Sequence, residues 1–195
     1  MAQNDSSRYY ERWFCSAMLI VMAGLPGTGK STLAHRLAEA LPAVILDKDS
    51  VRAALFPPSE IEYSTPQDNL CVEVMLRVAG YILAKDSHKH VILDGRTYSR
   101  RYQVEAVRAF AQERGVALVL IECICSDETV RRRLAKDVAE GLHPAANRDY
   151  VMYLSVKARA EPIVGPKLVV DTDQDLESVV RSCLDTIRGC SPVRA

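Results

Sequence analysis

Gly24-Leu25-Pro26-Gly27-Thr28-Gly29-Lys30-Ser31 is the stretch whose residue types and spacing could do chemistry. It matches G-x-x-x-x-G-K-[ST], the phosphate-binding P-loop pattern. Backbone N–H groups close around a polyphosphate only where side chains do not block the approach, which the three glycines allow. Lys30 supplies a point charge for the β- and γ-phosphates, and the Ser31 hydroxyl can ligate Mg²⁺. The helix that begins here turns its positive dipole end toward the anion. Gly24, Leu25, Pro26, Gly27, Thr28, Gly29, Lys30, Ser31 and Thr32 are therefore the expected nucleotide contacts. The competing reading is a glycine-rich turn that binds nothing.

Carboxylates form the second set. Asp47, Asp49, Asp94 and Asp171 each stand at the end of a short apolar run. In open parallel sheets ligands sit beyond the carboxyl ends of the strands, so these acids gather around the P-loop crevice. A phosphoryl transferase needs a group to position and deprotonate the attacking hydroxyl. It also needs one to organise Mg²⁺ and cations to meet charge on the γ-phosphoryl oxygens.

The elements that must position these residues alternate. Met18 to Ala23 reads as a buried strand, and the helix after Lys30 carries Leu33, Leu37 and Leu41 on one face before Pro42 stops it. Ala43 to Asp47 is a second strand, followed by a short helix that Asp49 opens and Pro57-Pro58 ends. Thr65-Pro66 starts a long helix to about Lys85, with Leu70, Val74, Val78 and Ile82 at period four as its apolar face.

His90 to Leu93 is a third strand, ending at Asp94. The next helix buries Val104, Val107 and Ala111, and Gly115 stops it. Val116 to Ile121 is a strand apolar on both faces. Ser126 caps a helix whose apolar face is Val130, Leu134 and Val138. Gly141 to Asp149 reads as a lid-like interruption before a helix from Asn147 to Ala160. Leu168 to Val170 is the fifth strand, and the last helix buries Leu176, Val179, Val180, Cys183 and Ile187. This order predicts an α/β architecture with a parallel sheet and right-handed crossovers.

Composition narrows the classes of function. The 195 residues suit one compact domain, here 17–190, after an aromatic extension over 1–16 that packs on the domain or on a second subunit; monomer and homodimer both stay open. With 25 basic and 25 acidic side chains the net charge is zero, so no global field favours nucleic acid or an anionic membrane. The six cysteines form no C-x-x-C pair and read as reduced residues of a cytoplasmic protein. Cys123 and Cys125 alternate on a strand and face one side. The apolar run from Trp13 to Leu25 is too short for a membrane span, which needs about 20 residues.

GLPGTGKSTLA, Asp49-Ser-Val-Arg52, VILDGRTYSRR, the Ser-Asp-Glu-x-x-x-Arg-Arg-Leu helix and HPAANRD together resemble the small P-loop kinases, a group that includes chloramphenicol phosphotransferase, zeta toxins and polynucleotide 5′-kinases. The resemblance implies a P-loop NTPase fold, with a five-stranded parallel sheet in the order 2-3-1-4-5 flanked by helices, and a small helical lid. It implies ATP and Mg²⁺ as cofactors. In that group the Asp of the Asp-x-x-Arg segment accepts the substrate hydroxyl proton, which implies Asp49 here, with Asp47 as the alternative base. Arg52 would orient the acceptor or a phosphate. Asp94 would hold Mg²⁺ through water, or the acceptor, and Arg133 would lie against the adenine.

Plainer readings stand beside each role. Asp49 could be only a helix cap, and Asp94 could bind the turn that follows it. Arg96, Arg100 and Arg101 could receive an anion or form a solvated helix start. Arg132 reads as solvated. Four residues after Arg133, where the family often has a second lid arginine, this chain has Asp137. Arg148 is the expected replacement, Arg131, Arg133 and Lys136 the fallbacks, and His143 is structural.

The function that follows is an ATP-dependent kinase acting on a small-molecule hydroxyl. Two alternatives remain: a nucleotide-dependent switch with slow hydrolysis, and a polynucleotide 5′-hydroxyl kinase.

Overall fold

The computed structural model describes residues 17–140 and 149–189. The strands are β1 (Met18–Ala23), β2 (Ala43–Asp47), β3 (His90–Asp94), β4 (Ala117–Ile124) and β5 (Leu168–Asp171). They form one parallel sheet in the order β2-β3-β1-β4-β5. The helices are α1 (Lys30–Ala40), α2 (Lys48–Leu55), α3 (Thr65–Lys85), α4 (Arg101–Arg114), α5 (Asp127–Glu140), α6 (Tyr150–Arg159) and α7 (Leu176–Gly189). The expected strand order is the observed one.

β1 explains the layering. Its six residues are all buried, because it lies between β3 and β4 and both of its faces are covered. Alternate side chains go to opposite faces. Leu19 and Val21 pack with Val72, Met75 and Ala79 of α3 and with Val104 and Val107 of α4. Met18, Ile20 and Met22 pack with Leu33 and Leu37 of α1 and with Val179, Val180 and Ile187 of α7. Each large apolar side chain so buried stabilises the fold by about 1.5–3 kcal/mol relative to exposure.

Local chemistry sets the helix ends. Asp47 Oδ1 accepts from the Ser50 N–H at 2.7 Å, Ser64 Oγ from Gln67, and Asp149 Oδ1 from Met152. Gly115 ends α4 in the left-handed conformation, φ 62°. One correction follows: α2 begins at Lys48 with Asp47 as its cap, so the cap reading belongs to Asp47 and not to Asp49.

Three other expectations change. The buried stripe of α3 is Cys71, Val72, Met75, Ala79 and Leu83, while Leu70 and Val78 are exposed. Two adjacent stripes of α3 are apolar at the same period. The buried one packs with Leu19 and Val21 of β1 and Val91 and Leu93 of β3. Val138 is 61% exposed, so the inner face of α5 stops at Leu134. β4 continues past Ile121 to Ile124, which buries Cys123 in the core, while Cys125 lies beyond the strand and half-buried beside Arg133. Cys15, Cys190 and the extension over 1–16 lie outside the described residues.

Candidate active site

The P-loop leaves β1 under tight steric control. Gly24 has φ +128°, its N–H donates to Thr97 O at 3.0 Å, and a Cβ there would stand 2.3 Å from the Cys123 carbonyl oxygen. Only glycine fits that approach. Gly29, φ 81°, precedes α1 without any side-chain cap, so the first-turn N–H groups of α1 are not answered by a capping side chain and suit an anion. Lys30 is 5% exposed, and its Nζ donates to Leu25 O at 2.8 Å. The Thr28 hydroxyl donates to the same carbonyl. Pro26 faces one cavity, of about 540 Å³, and Gly27 faces another, of about 550 Å³.

The second cavity is walled by Gly29, Ser31, Thr32, Arg133, Asp137 and Gln174. Arg133 reaches across from α5: it donates to the Thr172 hydroxyl at 2.9 Å, to Thr172 O at 2.8 Å and to Gly27 O at 3.3 Å. The Thr172 hydroxyl lies 3.0 Å from Thr28 O and 3.3 Å from Ile124 O. Thr172 thus joins the end of β5, the P-loop and α5 in one polar cluster. No motif marks it; a single threonine after a strand carries no signal in the sequence. Asp171, one residue earlier, turns back to accept from the Asp173 N–H.

The first cavity is lined by Asp49, the acid of the Asp-x-x-Arg segment. Arg52 is 1% exposed and ion-paired with both Asp49 and Asp68. Its guanidinium lies 4.8 Å from the centre of the Tyr63 ring. Lys48 Nζ is 2.7 Å from Asp68 Oδ1 and 3.7 Å from Asp49 Oδ1. Both contacts to Asp49 use Oδ1. Asp68 was not a candidate in the sequence, where it reads as an acid in the first turn of a helix, favourable to the dipole. The fold makes it the counter-charge of Arg52.

Asp94 ends β3 beside Asp47 of β2. It is 3% exposed, and its Oδ1 has no hydrogen-bond partner among the described residues. A buried carboxylate oxygen without a donor calls for a ligand or water. Gly95 keeps the crevice narrow, since a Cβ there would meet Asp47 Oδ2 at 2.9 Å.

The three arginines after it diverge. Arg96 is buried and donates to Asn69, Arg100 lies 3.5 Å from Glu161, and the Arg101 backbone N–H donates to the other Glu161 oxygen at 2.7 Å.

The described residues fit Mg²⁺ held through a hydroxyl, water and phosphate oxygens rather than in a protein cage. Ser31 opens α1 beside the cradle, Asp94 offers an unpaired oxygen, and no cluster of three or more ligating side chains occurs among the described residues.

The helices flanking the expected lid are tied at their base. Tyr153 Oη donates to Asp127 Oδ1 at 2.6 Å, and Lys157 Nζ lies 2.6 and 2.7 Å from the two Asp127 oxygens. The hydrogen bond from Lys157 holds the Asp127 carboxyl below its ordinary value. Burial first, then Asp127, pushes the Tyr153 hydroxyl up to about 12. Arg131 lies 4.6 Å from the centre of the Tyr150 ring, and Lys136 lies 3.9 Å from Glu140. With Arg133 held by Thr172, all three fallback cations thus have partners of their own. His143 and Arg148 lie outside the described residues.

Sheet order, P-loop and strand-end acids define the P-loop NTPase fold. Residues 19–155 match the AAA domain family, and the chain belongs to it. Its similarity to the mouse 6-phosphofructo-2-kinase/fructose-2,6-bisphosphatase 1 is 25% identity over 138 residues, 65% of this chain and 29% of that protein. The chain therefore spans less than a third of that relative's length.

Among solved structures it is similar to a gluconokinase from Sinorhizobium meliloti, with TM-score 0.63, 20% identity, and coverage of 90% of this chain and 93% of that one. The Mycobacterium tuberculosis APS kinase in complex with AMPPNP and APS gives TM-score 0.65 and 16% identity, covering 88% and 97%. At these identities the structures establish the shared fold. Among the described residues no helix is long and apolar enough to cross a membrane.

Proposed function

We propose that this protein is an ATP-dependent, Mg²⁺-assisted kinase that phosphorylates a hydroxyl of a small molecule. The observation that carries the reading is the pair of similar cavities on either side of one P-loop, with Lys30 and Ser31 in the wall of one and Asp49 in the wall of the other. A phosphoryl donor and an acceptor need this arrangement, because in-line transfer passes the γ-phosphoryl group from one pocket to its neighbour.

ATP binds with its phosphates on the Gly24 to Thr32 cradle and its base against Arg133. Asp49, with Oδ1 fixed by Arg52, offers Oδ2 to the acceptor hydroxyl and takes its proton. The hydroxyl oxygen forms the new bond to the γ-phosphorus as the bond to the bridging oxygen of ADP breaks. Lys30 meets the charge on the phosphates, and Arg148 supplies the lid cation. Ser31, and Asp94 through water, would hold Mg²⁺, which would supply neutralising charge to the phosphates when bound. Arg52 acts by orienting Asp49, since its burial and its two carboxylate partners keep it from the acceptor. The kinship with chloramphenicol phosphotransferase and zeta toxins belongs to this same reading.

The test is ADP release from ATP and Mg²⁺ across a panel of hydroxylated metabolites, antibiotics and 5′-hydroxyl oligonucleotides. Acceptor-dependent release, lost in a folded Lys30→Ala variant, is expected. Release that no acceptor stimulates points to a nucleotide switch. Oligonucleotide labelling with a steep salt dependence points to a polynucleotide kinase.

A further inference from the structure

The acceptor cavity carries more positive charge than its catalytic end uses. Lys48, Asp49 and Asp68 of its wall and the buried Arg52 contact one another and cancel as a group of two cations and two anions. Two more arginines, Arg100 and Arg159, line the same cavity. They come from elements far apart in sequence, the start of α4 and the end of α6, yet the fold joins these stretches: the Glu161 N–H donates to Ser99 O at 2.9 Å.

Arg159 has no carboxylate partner among the described residues, and Arg100 has a long ion pair to a glutamate that it shares. Among the described residues Arg159 bonds within its own helix, Nε to Ser155 O at 3.0 Å and a terminal nitrogen to Ser155 Oγ at 3.1 Å. Arg100 reaches Glu161 at 3.5 Å, and that glutamate is held more closely by the Arg101 N–H, at 2.7 Å.

The rest of the wall suits a polyhydroxylated molecule. Thr65, Thr97, Ser99 and Tyr102 contribute hydroxyls, and Tyr63 contributes an aromatic ring. Gln103, about nine-tenths buried, carries an Oε1 with no hydrogen-bond partner among the described residues, an acceptor waiting for a donor such as a hydroxyl. A cavity of about 540 Å³ holds a molecule of monosaccharide size with water to spare.

We propose that the acceptor is an anionic polyol, a small polyhydroxylated molecule bearing a carboxylate or a phosphate monoester, whose anion is held between Arg100 and Arg159. Paired guanidinium groups suit both anions, since each presents two oxygens to a planar fork of donors. The hydroxyl to be phosphorylated then points toward Asp49, in the wall of the same cavity. The inference rests on the kinase reading for the choice of cavity, and binding tests it without turnover.

The experiment is calorimetric titration of the full chain, saturated with AMPPNP and Mg²⁺, with four- to six-carbon sugar acids, the matching sugar monophosphates and the matching neutral sugars. At least one anionic compound should bind about 10-fold or more tightly than its neutral counterpart, and comparison of the acid with the phosphate identifies which anion the site takes. Arg159→Gln and Arg100→Gln should each weaken that binding about 10-fold while AMPPNP affinity and melting temperature stay at the wild-type values. Neutral sugars that bind as well as the anions, anions that do not bind, or binding indifferent to both substitutions would overturn the proposal. Tight anion binding that supports no phosphoryl transfer leaves this assignment standing and overturns the kinase reading instead.

Discussion

At the residue scale, the site turns on who holds Asp49. Arg52 contacts it through Oδ1 and is itself clamped by Asp68, so Asp68 acts on Asp49 at one remove. Asp49→Asn should lower kcat by about 10²-fold or more with nucleotide affinity unchanged, because a carboxamide accepts no proton. Asp68→Asn should lower kcat by about 10-fold, and in the double variant the two effects should not multiply, since groups in one network are not additive. Steady-state kinetics of the three variants decides this, and multiplicative losses would mean that Asp68 acts independently of Asp49. Replacing Arg52 with Met leaves Asp49 and Asp68 with Lys48 as the remaining cation of the cluster. The expected loss is about 1–3 kcal/mol, read from denaturant unfolding.

At the scale of elements, two junctions set the geometry of the cradle. Asp47, at the end of β2, caps α2 and so fixes the helix that carries Asp49. Asp47→Ala should cost about 1 kcal/mol of stability through the lost cap, measurable as a shift in the denaturant midpoint. On the nucleotide side, the Thr172 hydroxyl lies between Arg133 and Thr28 O, where it binds α5 to the P-loop. Thr172→Val keeps the shape and deletes these hydrogen bonds. ATP affinity should fall about 10-fold, with a smaller change in kcat, because the interactions lost position the nucleotide rather than meet charge that develops during transfer. Equilibrium binding of a fluorescent ATP analogue beside turnover measurements checks that split.

At the scale of the whole molecule, a buried histidine couples the sheet to pH. His90 begins β3, its Nδ1 has no hydrogen-bond partner among the described residues, and burial lowers its pKa below the ordinary value. The unfolded chain therefore binds a proton at a pH where the folded chain does not. The neutral ring contributes stability that is fully present above the unfolded value of about 6.5 and is lost as pH falls through the lowered folded value. The denaturant midpoint should drop between about pH 7.5 and about pH 5.5, and His90→Gln should flatten that dependence. A wild-type midpoint that stays level across the interval would remove His90 as its source.

Local features of the sequence determined the phosphate cradle and the alternation of strands and helices. Glycine spacing, apolar periodicity and the stops at Pro42, Pro57 and Gly115 act over a few residues and need no partner elsewhere. Parallel crossovers then brought the strand-end carboxylates Asp47 and Asp94 side by side, as chain order alone led one to expect. Tertiary structure decided the rest. Which of two apolar stripes on α3 faces inward, that of Val72, Met75, Ala79 and Leu83 or that of Leu70 and Val78, was decided by the sheet and helix packed against it. Arg52 became a buried strut because Asp68, on another helix, met it, and Thr172 became a hub because the turn after β5 lies over the P-loop. A polar side chain takes its role from the partner it reaches, and those partners lie far along the chain, where no local pattern records them.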